Sequence, residues 1–303
     1  MCLNKLQSQR GIALLMAMLV VALATITAVS LVHEQAISMR KTGHVQATDI
    51  ALQYSLALED FARVLLREDL KDSKTDHLGE IWARAEGVAA PIEGGMLSGS
   101  IIDAQSRFNV NSVLQQENED RFRVLCNNLD VSPDFIPALK DWIDENLETG
   151  GVDGAEDDYY TALDPPYRTA NRALSDISEL LLVKGVSLEI FEKLQPYIIA
   201  LPATAKLNIN TLSTQIYATL DQDLNVEQFE SLREENAFES LEDYKNRMQH
   251  PALIEAGLSV SSEYFIAQGN VLRGDKGLSF SSLIHRDDQG LTRILWRRVG
   301  GFI

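Results

Sequence analysis

The sequence predicts an α+β protein: a long N-terminal helix that crosses a membrane, an α/β domain split in sequence, and an all-helical domain inserted between its two parts. Three observations carry this reading. Ile12 to Val32 reads IALLMAMLVVALATITAVSLV without a charged side chain. Strand-like segments occur near residue 100 and return after residue 260, and the stretch between them has helical periodicity.

As a helix, the uncharged run rises about 1.5 Å per residue and covers roughly 30 Å, enough to span a bilayer. Lys5 and Arg10 precede it, which favours a cytoplasmic N-terminus and an external globular part, although Arg40 and Lys41 on the far side weaken that bias. A cleaved signal peptide is the competing reading, but His33 to Arg40 offers no small-residue cleavage box. The helix is expected to continue to about Glu68. Ala47, Ile50, Ala51, Tyr54, Leu58, Phe61, Ala62 and Leu65 recur at spacings of three and four, with Asp49, Glu59, Asp60 and Arg63 at other positions. Gly43 is a candidate for a modest bend.

Beyond it, Gly87, Pro91, Gly94 and Gly95 mark loops, and Met96 to Asp103 followed by Ser106 to Asn111 reads as short strands. Late strands are expected at Glu263 to Arg273, Leu278 to His285 and Leu291 to Val299, separated by Gly274, Gly277 and Gly290. They are candidate antiparallel neighbours of the earlier strands. The intervening block offers helices at Pro133 to Leu147, Ser175 to Leu182, Leu188 to Ile198, Thr211 to Leu220, Val226 to Glu234 and Leu241 to Gln249. Leu181 to Val186, followed by the Leu188 helix, resembles a helix-hairpin-helix or SAM-like unit, with Gly185 at the turn and Leu182 and Val186 packing between helices. A phrase recurs in Phe108-Asn109-Val110-Asn111-Ser112 and Leu207-Asn208-Ile209-Asn210-Thr211, which fits a half-buried strand running into a capped helix.

The formal charge of −17 opposes nucleic acid as a partner. His33, His44, His77, His250 and His285 are widely spaced; no HExxH, P-loop or GxSxG elbow occurs, so no enzymatic activity is expected. Cys126 reads as a small buried hydrophobe. The acidic run between Glu148 and Asp164 is different in kind. Asp153, Glu156, Asp157, Asp158 and Asp164 crowd a glycine-containing loop, and Asp141, Asp144, Glu145 and Glu148 precede them on one expected helix side. Like charges at that spacing repel, and calcium takes six to eight oxygens. Those five residues are the candidate metal ligands, with Glu148 a further possibility.

The short basic leader, Gly11, the apolar Ile12-Ala13-Leu14-Leu15 and the spanning helix resemble the prepilin processing site, and the layout of nearly the whole chain resembles the K-type minor pseudopilin of type II secretion. The resemblance implies a prepilin leader at 1–11 cut between Gly11 and Ile12, methylation of the new N-terminus, and a transmembrane helix at 12–32. It implies a pilin-like α/β domain formed by 33–112 and 256–303, with the helical domain at 113–255 between. It also implies a single-pass inner-membrane protein with its globular part in the periplasm, placed at the pseudopilus tip, where it initiates or caps assembly during protein export. I-, J- and H-type minor pseudopilins, the major pseudopilin, prepilin peptidase and the inner-membrane secretion platform are the implied partners, and calcium the implied ion. Pilins of this kind usually carry Glu at the fifth mature position; this chain has Met16. A buried carboxylate without a partner is costly, so its lack suits a subunit with no neighbour above it. The alternative is a stand-alone membrane-anchored periplasmic binding protein.

Overall fold

The computed structural model describes residues 5–84, 88–221, 224–249, 257–273 and 276–302. Gly87, His250, Gly274, the first residues of the leader and the 255/256 boundary lie outside them. Helix α1, Lys5–Asp72, is unbroken for 68 residues and passes through Gly43. It extends one turn past the expected end and is followed by the short α2, Ile81–Arg84.

Strands β1 (Val88–Ile92) and β2 (Gly95–Asp103) form a hairpin turned at Gly94, whose φ of 76° suits glycine. Pro91 suggested a loop, yet it lies within β1. That strand has a neighbour on one side only, where a residue without an N–H is tolerated. After two more residues in strand conformation, β3 (Phe108–Asn109), come α3 (Gln116–Asn128), α4 (Ile136–Ile143), α5 (Asp157–Tyr160) and α6 (Leu188–Leu194). Then follow β4 (Ile198–Ile199), β5 (Leu207–Asn208), α7 (Thr214–Tyr217), α8 (Val226–Glu235), α9 (Leu241–Met248) and β6 (Leu258–Ser259). The chain closes with β7 (Tyr264–Arg273), β8 (Lys276–Arg286) and β9 (Thr292–Phe302).

The main sheet has the order β1-β2-β7-β8-β9 and is antiparallel throughout, with Ile101 opposite Ala267 and Asp103 opposite Phe265. The late strands are therefore direct neighbours of the early ones. The segment from Ser106 to Asn111 does not join that sheet: Phe108 and Asn109 pair in parallel with Ile198 and Ile199 inside the insert.

Along β7 the side chains alternate between two environments. Phe265 and Ala267 pack with Ala62, Leu66, Trp82 and Ile284 beneath α1, whereas Tyr264 and Ile266 pack with Ile199 and Leu201 of the insert. Toward the other end of the strand, Gln268 and Asn270 replace them on the second face and are exposed, because no insert covers that end. The buried stripe of α1 is Ala51, Ser55, Glu59, Ala62 and Leu66. Glu59 was expected on the solvent side and Phe61 on the packed side, and the structure reverses both. Glu59 faces the sheet because Arg297 Nη2 and Nε donate to its two oxygens at 2.6 and 2.8 Å, while Phe61 is 57 % exposed.

The insert has its own core. Phe108 stacks on Phe122 with ring centroids 4.8 Å apart, and Tyr217 stacks on Phe229 at 3.6 Å. Cys126 is fully buried beside Phe122 and Leu125 in this cluster, and burial pushes its thiol up to about 12, which leaves it an inert small hydrophobe. At the hairpin, Gly185 adopts φ 87° against Phe135. Val186 packs on the core as expected, but Leu182 is 44 % exposed, and Leu180 and Val183 fill the interior instead.

Candidate functional site: an anchor helix and two acidic centres

Among the described residues, no other part of the chain covers the apolar side chains of α1 from Ile12 to Val32. The hydroxyls within this stretch are satisfied by their own helix: Thr25 Oγ1 donates to the Val21 carbonyl at 2.8 Å and Ser30 Oγ to Ile26 at 3.0 Å. Internal pairing of that kind removes the penalty for placing them in hydrocarbon. Farther along, α1 enters the globular part with a direction fixed by its contacts. Ala51 packs on Val271 and Leu278, whereas Leu66, within two turns of the helix end, offers its carbonyl to Arg286 Nη1 at 2.9 Å. The insert is joined at the Asp103, Tyr264 and Arg286 end of the sheet, so it lies at the end farthest from the membrane segment.

Between α1 and the β1–β2 hairpin an open apolar cleft of about 630 Å³ is lined by Leu58, Phe61, Leu65, Ile81, Leu97 and Ile101. Ile81 is 73 % exposed there.

The acidic loop follows α4. The expected helix to Leu147 ends at Ile143, because the side chains of Asp144 and Asn146 accept from the N–H groups of Asn146 and Glu148 at 3.2 and 2.7 Å. Such local turns compete with helical bonding. Asp141, Asp144, Glu145 and Glu148 consequently do not form one helix side. Asp141 is buried and organises the loop: its Oδ1 accepts from Gly150 N at 2.9 Å and its Oδ2 from Ala155 N at 2.8 Å. Glu156 is also buried, and its Oε1 has no hydrogen-bond partner. Burial raises the Glu156 carboxyl above its ordinary range; Thr169 lowers it, and the charges of Asp141, Asp144 and Asp157 raise it further. Of the expected ligands the structure thus brings Glu156 within electrostatic range of Asp141, Asp144 and Asp157, whereas Asp153, Asp158 and Asp164 are exposed. Lys184 ties the loop to the hairpin turn by donating to the Gly154 carbonyl at 3.0 Å.

A second acidic centre escaped the sequence reading. Among the described residues, Asp69, Asp76 and Glu80 alone bring oxygens of three potential ligands within 4.8 Å of one another, and they could coordinate a metal ion. Asp69 ends the inward stripe of α1 one turn beyond Leu66. Asp76 is in the linker to α2, where its Oδ1 accepts from Arg286 Nη2 at 2.5 Å and its Oδ2 from Ser262 N at 2.7 Å. Glu80 Oε2 accepts from His77 N at 3.0 Å and Trp82 Nε1 at 2.7 Å. The available sequence signal was a carboxylate at Asp69 in register with the buried Ala62 and Leu66.

An apolar helix that runs unbroken from a membrane-length segment onto one face of an antiparallel sheet has the layout of a pilin-type assembly subunit. The model of type II secretion system protein K matches residues 106–203. Type II secretion system protein K of Pseudomonas aeruginosa is 31% identical, with 97% of this chain and 94% of the relative covered. The protein of the same description from Pectobacterium carotovorum subsp. carotovorum is 32% identical, with 97% of each covered. A chain in the crystal structure of the GspK-GspI-GspJ complex from enterotoxigenic Escherichia coli superposes with a TM-score of 0.76 at 28% identity, covering 86% of this chain and 99% of that one. The chain belongs to the type II secretion system protein K family. It is a pseudopilin, a structural subunit of the secretion assembly and not an enzyme, held in the inner membrane by one helix with its globular part in the periplasm.

Proposed function

We propose that this pseudopilin occupies the tip of the type II secretion pseudopilus, where it initiates or caps assembly. The observation that carries the reading is the position of the insert at the sheet end remote from the membrane helix, where α1 ends. A bulky domain there enlarges the leading end of a filament whose stem is formed by α1-type helices. Met16 agrees with this place, since a terminal subunit has no amine above it for a carboxylate to meet. I- and J-type minor pseudopilins flank the chain, as the composition of the GspK-GspI-GspJ complex suggests. The apolar cleft at Leu58, Phe61 and Ile81 offers one of them a docking face. An H-type subunit links downward to the major pseudopilin, and the inner-membrane platform drives the assembly. Prepilin peptidase first cuts between Gly11 and Ile12, and the new N-terminus is methylated. Full-length chain in detergent, mixed with I- and J-type subunits, tests the assignment: a stable ternary complex is expected. A chain that stays separate from both across a range of salt concentrations would overturn it in favour of a stand-alone binding protein.

The same reading includes calcium at the loop after α4. The donors fit a hard cation: they are oxygens only, and a buried Glu156 oxygen lacks a partner. Glu156 and Asp157 would hold the ion together with Asp144, while Asp141 shapes the backbone around it. Asp153, Asp158 and Asp164 are the remaining candidate ligands. The ion would neutralise part of the loop's negative charge and stiffen it. Calcium-dependent thermal stabilisation that is reduced in E156Q/D157N supports the site; an equal calcium response in wild type and E156Q/D157N rejects it.

A further inference from the structure

We propose that Asp69, Asp76 and Glu80 form a second calcium site, separate from the loop after α4, which clasps the end of the anchor helix to the base of the helical insert. Two independent observations meet here. The first is the convergence of three carboxylates within 4.8 Å. The second is Glu80 itself: its side chain is only 8% exposed, yet Oε1 has no hydrogen-bond partner. Ser73 Oγ donates to the Thr75 carbonyl at 2.8 Å, and His77 Nε2 stands 3.7 Å from Oε1, beyond hydrogen-bond distance.

Charge balance leads to the same ligand. Arg286 pairs with Asp69 at 3.3 Å and with Asp76 at 2.5 Å, so one guanidinium faces three carboxylates. Two negative charges remain, matching one divalent ion. Each carboxylate has about four lone-pair sites, so Arg286 does not exhaust Asp69 or Asp76. The donors favour calcium over magnesium: they are carboxylate oxygens already partly committed to Arg286, and calcium accepts such an irregular oxygen set, whereas magnesium demands a near-ideal octahedron.

The position gives the ion a structural task. Asp69 belongs to α1, while the Asp76 carbonyl accepts from Asn208 Nδ2 at 2.9 Å and Asp76 N donates to the Val260 carbonyl at 3.0 Å. An ion shared by Asp69 and Asp76 therefore couples the membrane helix to the β5–β6 pair at the insert's base.

Equilibrium dialysis of the full-length chain in detergent counts bound calcium. E80Q/D69N is expected to lose one equivalent per chain, in the wild-type background and in the loop variant E156Q/D157N alike. Terbium emission sensitised by Trp82 should persist in the loop variant, be displaced by calcium, and weaken at least tenfold on adding E80Q, which keeps an acceptor for Trp82. If the loop reading fails, wild type and E156Q/D157N bind one equal equivalent, and only E80Q/D69N abolishes it. Unchanged stoichiometry in a folded E80Q/D69N, judged by circular dichroism, overturns the proposal. So does a higher metal-free Tm in E80Q with no calcium response in wild type, the behaviour of carboxyls that share a proton.

Discussion

Asn111 and Asn210 occupy the same place in two copies of one hydrogen-bond pattern. Each receives at its Oδ1 a distant backbone N–H, from Leu174 at 2.7 Å and from Phe238 at 2.9 Å, and returns its Nδ2 to the carbonyl of that same residue at 2.9 and 3.0 Å. Two residues earlier, Asn109 and Asn208 accept from the backbone N–H groups of Asn111 and Asn210. Each phrase also opens with a two-residue parallel pairing. The insert thus contains two copies of one strand-to-turn unit, each with a buried amide pinning a remote segment.

Replacing Asn111 or Asn210 by Ala leaves a buried N–H and a buried carbonyl unpaired. Each substitution is expected to destabilise the chain by about 2–4 kcal/mol, since an orphaned buried group costs about 1–3 kcal/mol. Urea denaturation followed by far-ultraviolet circular dichroism measures it; a loss below about 0.5 kcal/mol would contradict the role.

Glu59 joins α1 to β8 and β9 through Ser282 and both arms of Arg297. Burial pulls its carboxyl up, but these hydrogen bonds and the guanidinium charge outweigh that and hold it below the ordinary glutamate value. The stability it contributes is present above the unfolded value of about 4.3 and is lost as pH falls through the lower folded value. E59Q should therefore be less stable at pH 7, by about 2–4 kcal/mol for one broken partner of a half-exposed pair. It should also show a shallower loss of Tm below pH 4; parallel Tm profiles for the two proteins would refute this account.

Asp103 has the opposite sign. It is fully enclosed, and burial pushes its carboxyl up to about 6 although Ser262, Thr211 and Gln105 all donate to it. A raised carboxyl contributes stability that is complete below its unfolded value of about 3.9 and is lost as pH rises through about 6. Asp69, also raised to about 6 mainly by burial, adds to the same window. Metal-free protein should lose Tm between pH 4 and pH 6.5, and D103N should flatten part of that slope while lowering Tm throughout. Excess calcium should flatten the part due to Asp69.

Phe61 is 57 % exposed and lines the apolar cleft. Phe61→Glu should leave the urea midpoint nearly unchanged, as surface changes do, and weaken capture of a flanking pseudopilin by at least tenfold. Equal weakening by a distant exposed substitution such as Leu147→Glu would remove the cleft from the interface.

Much of the architecture was legible because it rests on periodic apolar patterns. The spanning run, the late strands and the helices around Leu188, Val226 and Leu241 announce themselves by local spacing. What stayed hidden depends on contacts between distant residues. Glu59 looked like a solvent residue because its partner, Arg297, is 238 positions away. Helix α3 passed unnoticed because only Phe122, Leu125 and Cys126 mark its inner face among many polar residues. The junction carboxylates required the linker geometry that brings Asp76 back to Asp69, and the loop after α4 required the buried Asp141 as its organiser.

The separation of β2 from β7 also sets an order of events. Ser262 and Asp103 touch at 2.6 Å although they are 159 positions apart in sequence. Closing a loop of that length in a disordered chain opposes pairing by about 4 kcal/mol, whereas a collapsed insert presents both its ends side by side. An insert that has already folded removes that cost and serves as the template on which the sheet closes. Until it does, β2 emerges from the membrane with an unpaired edge, open to capture by a strand from another chain. Slow folding of the insert would thus register as aggregation of the sheet, far from the residues at fault.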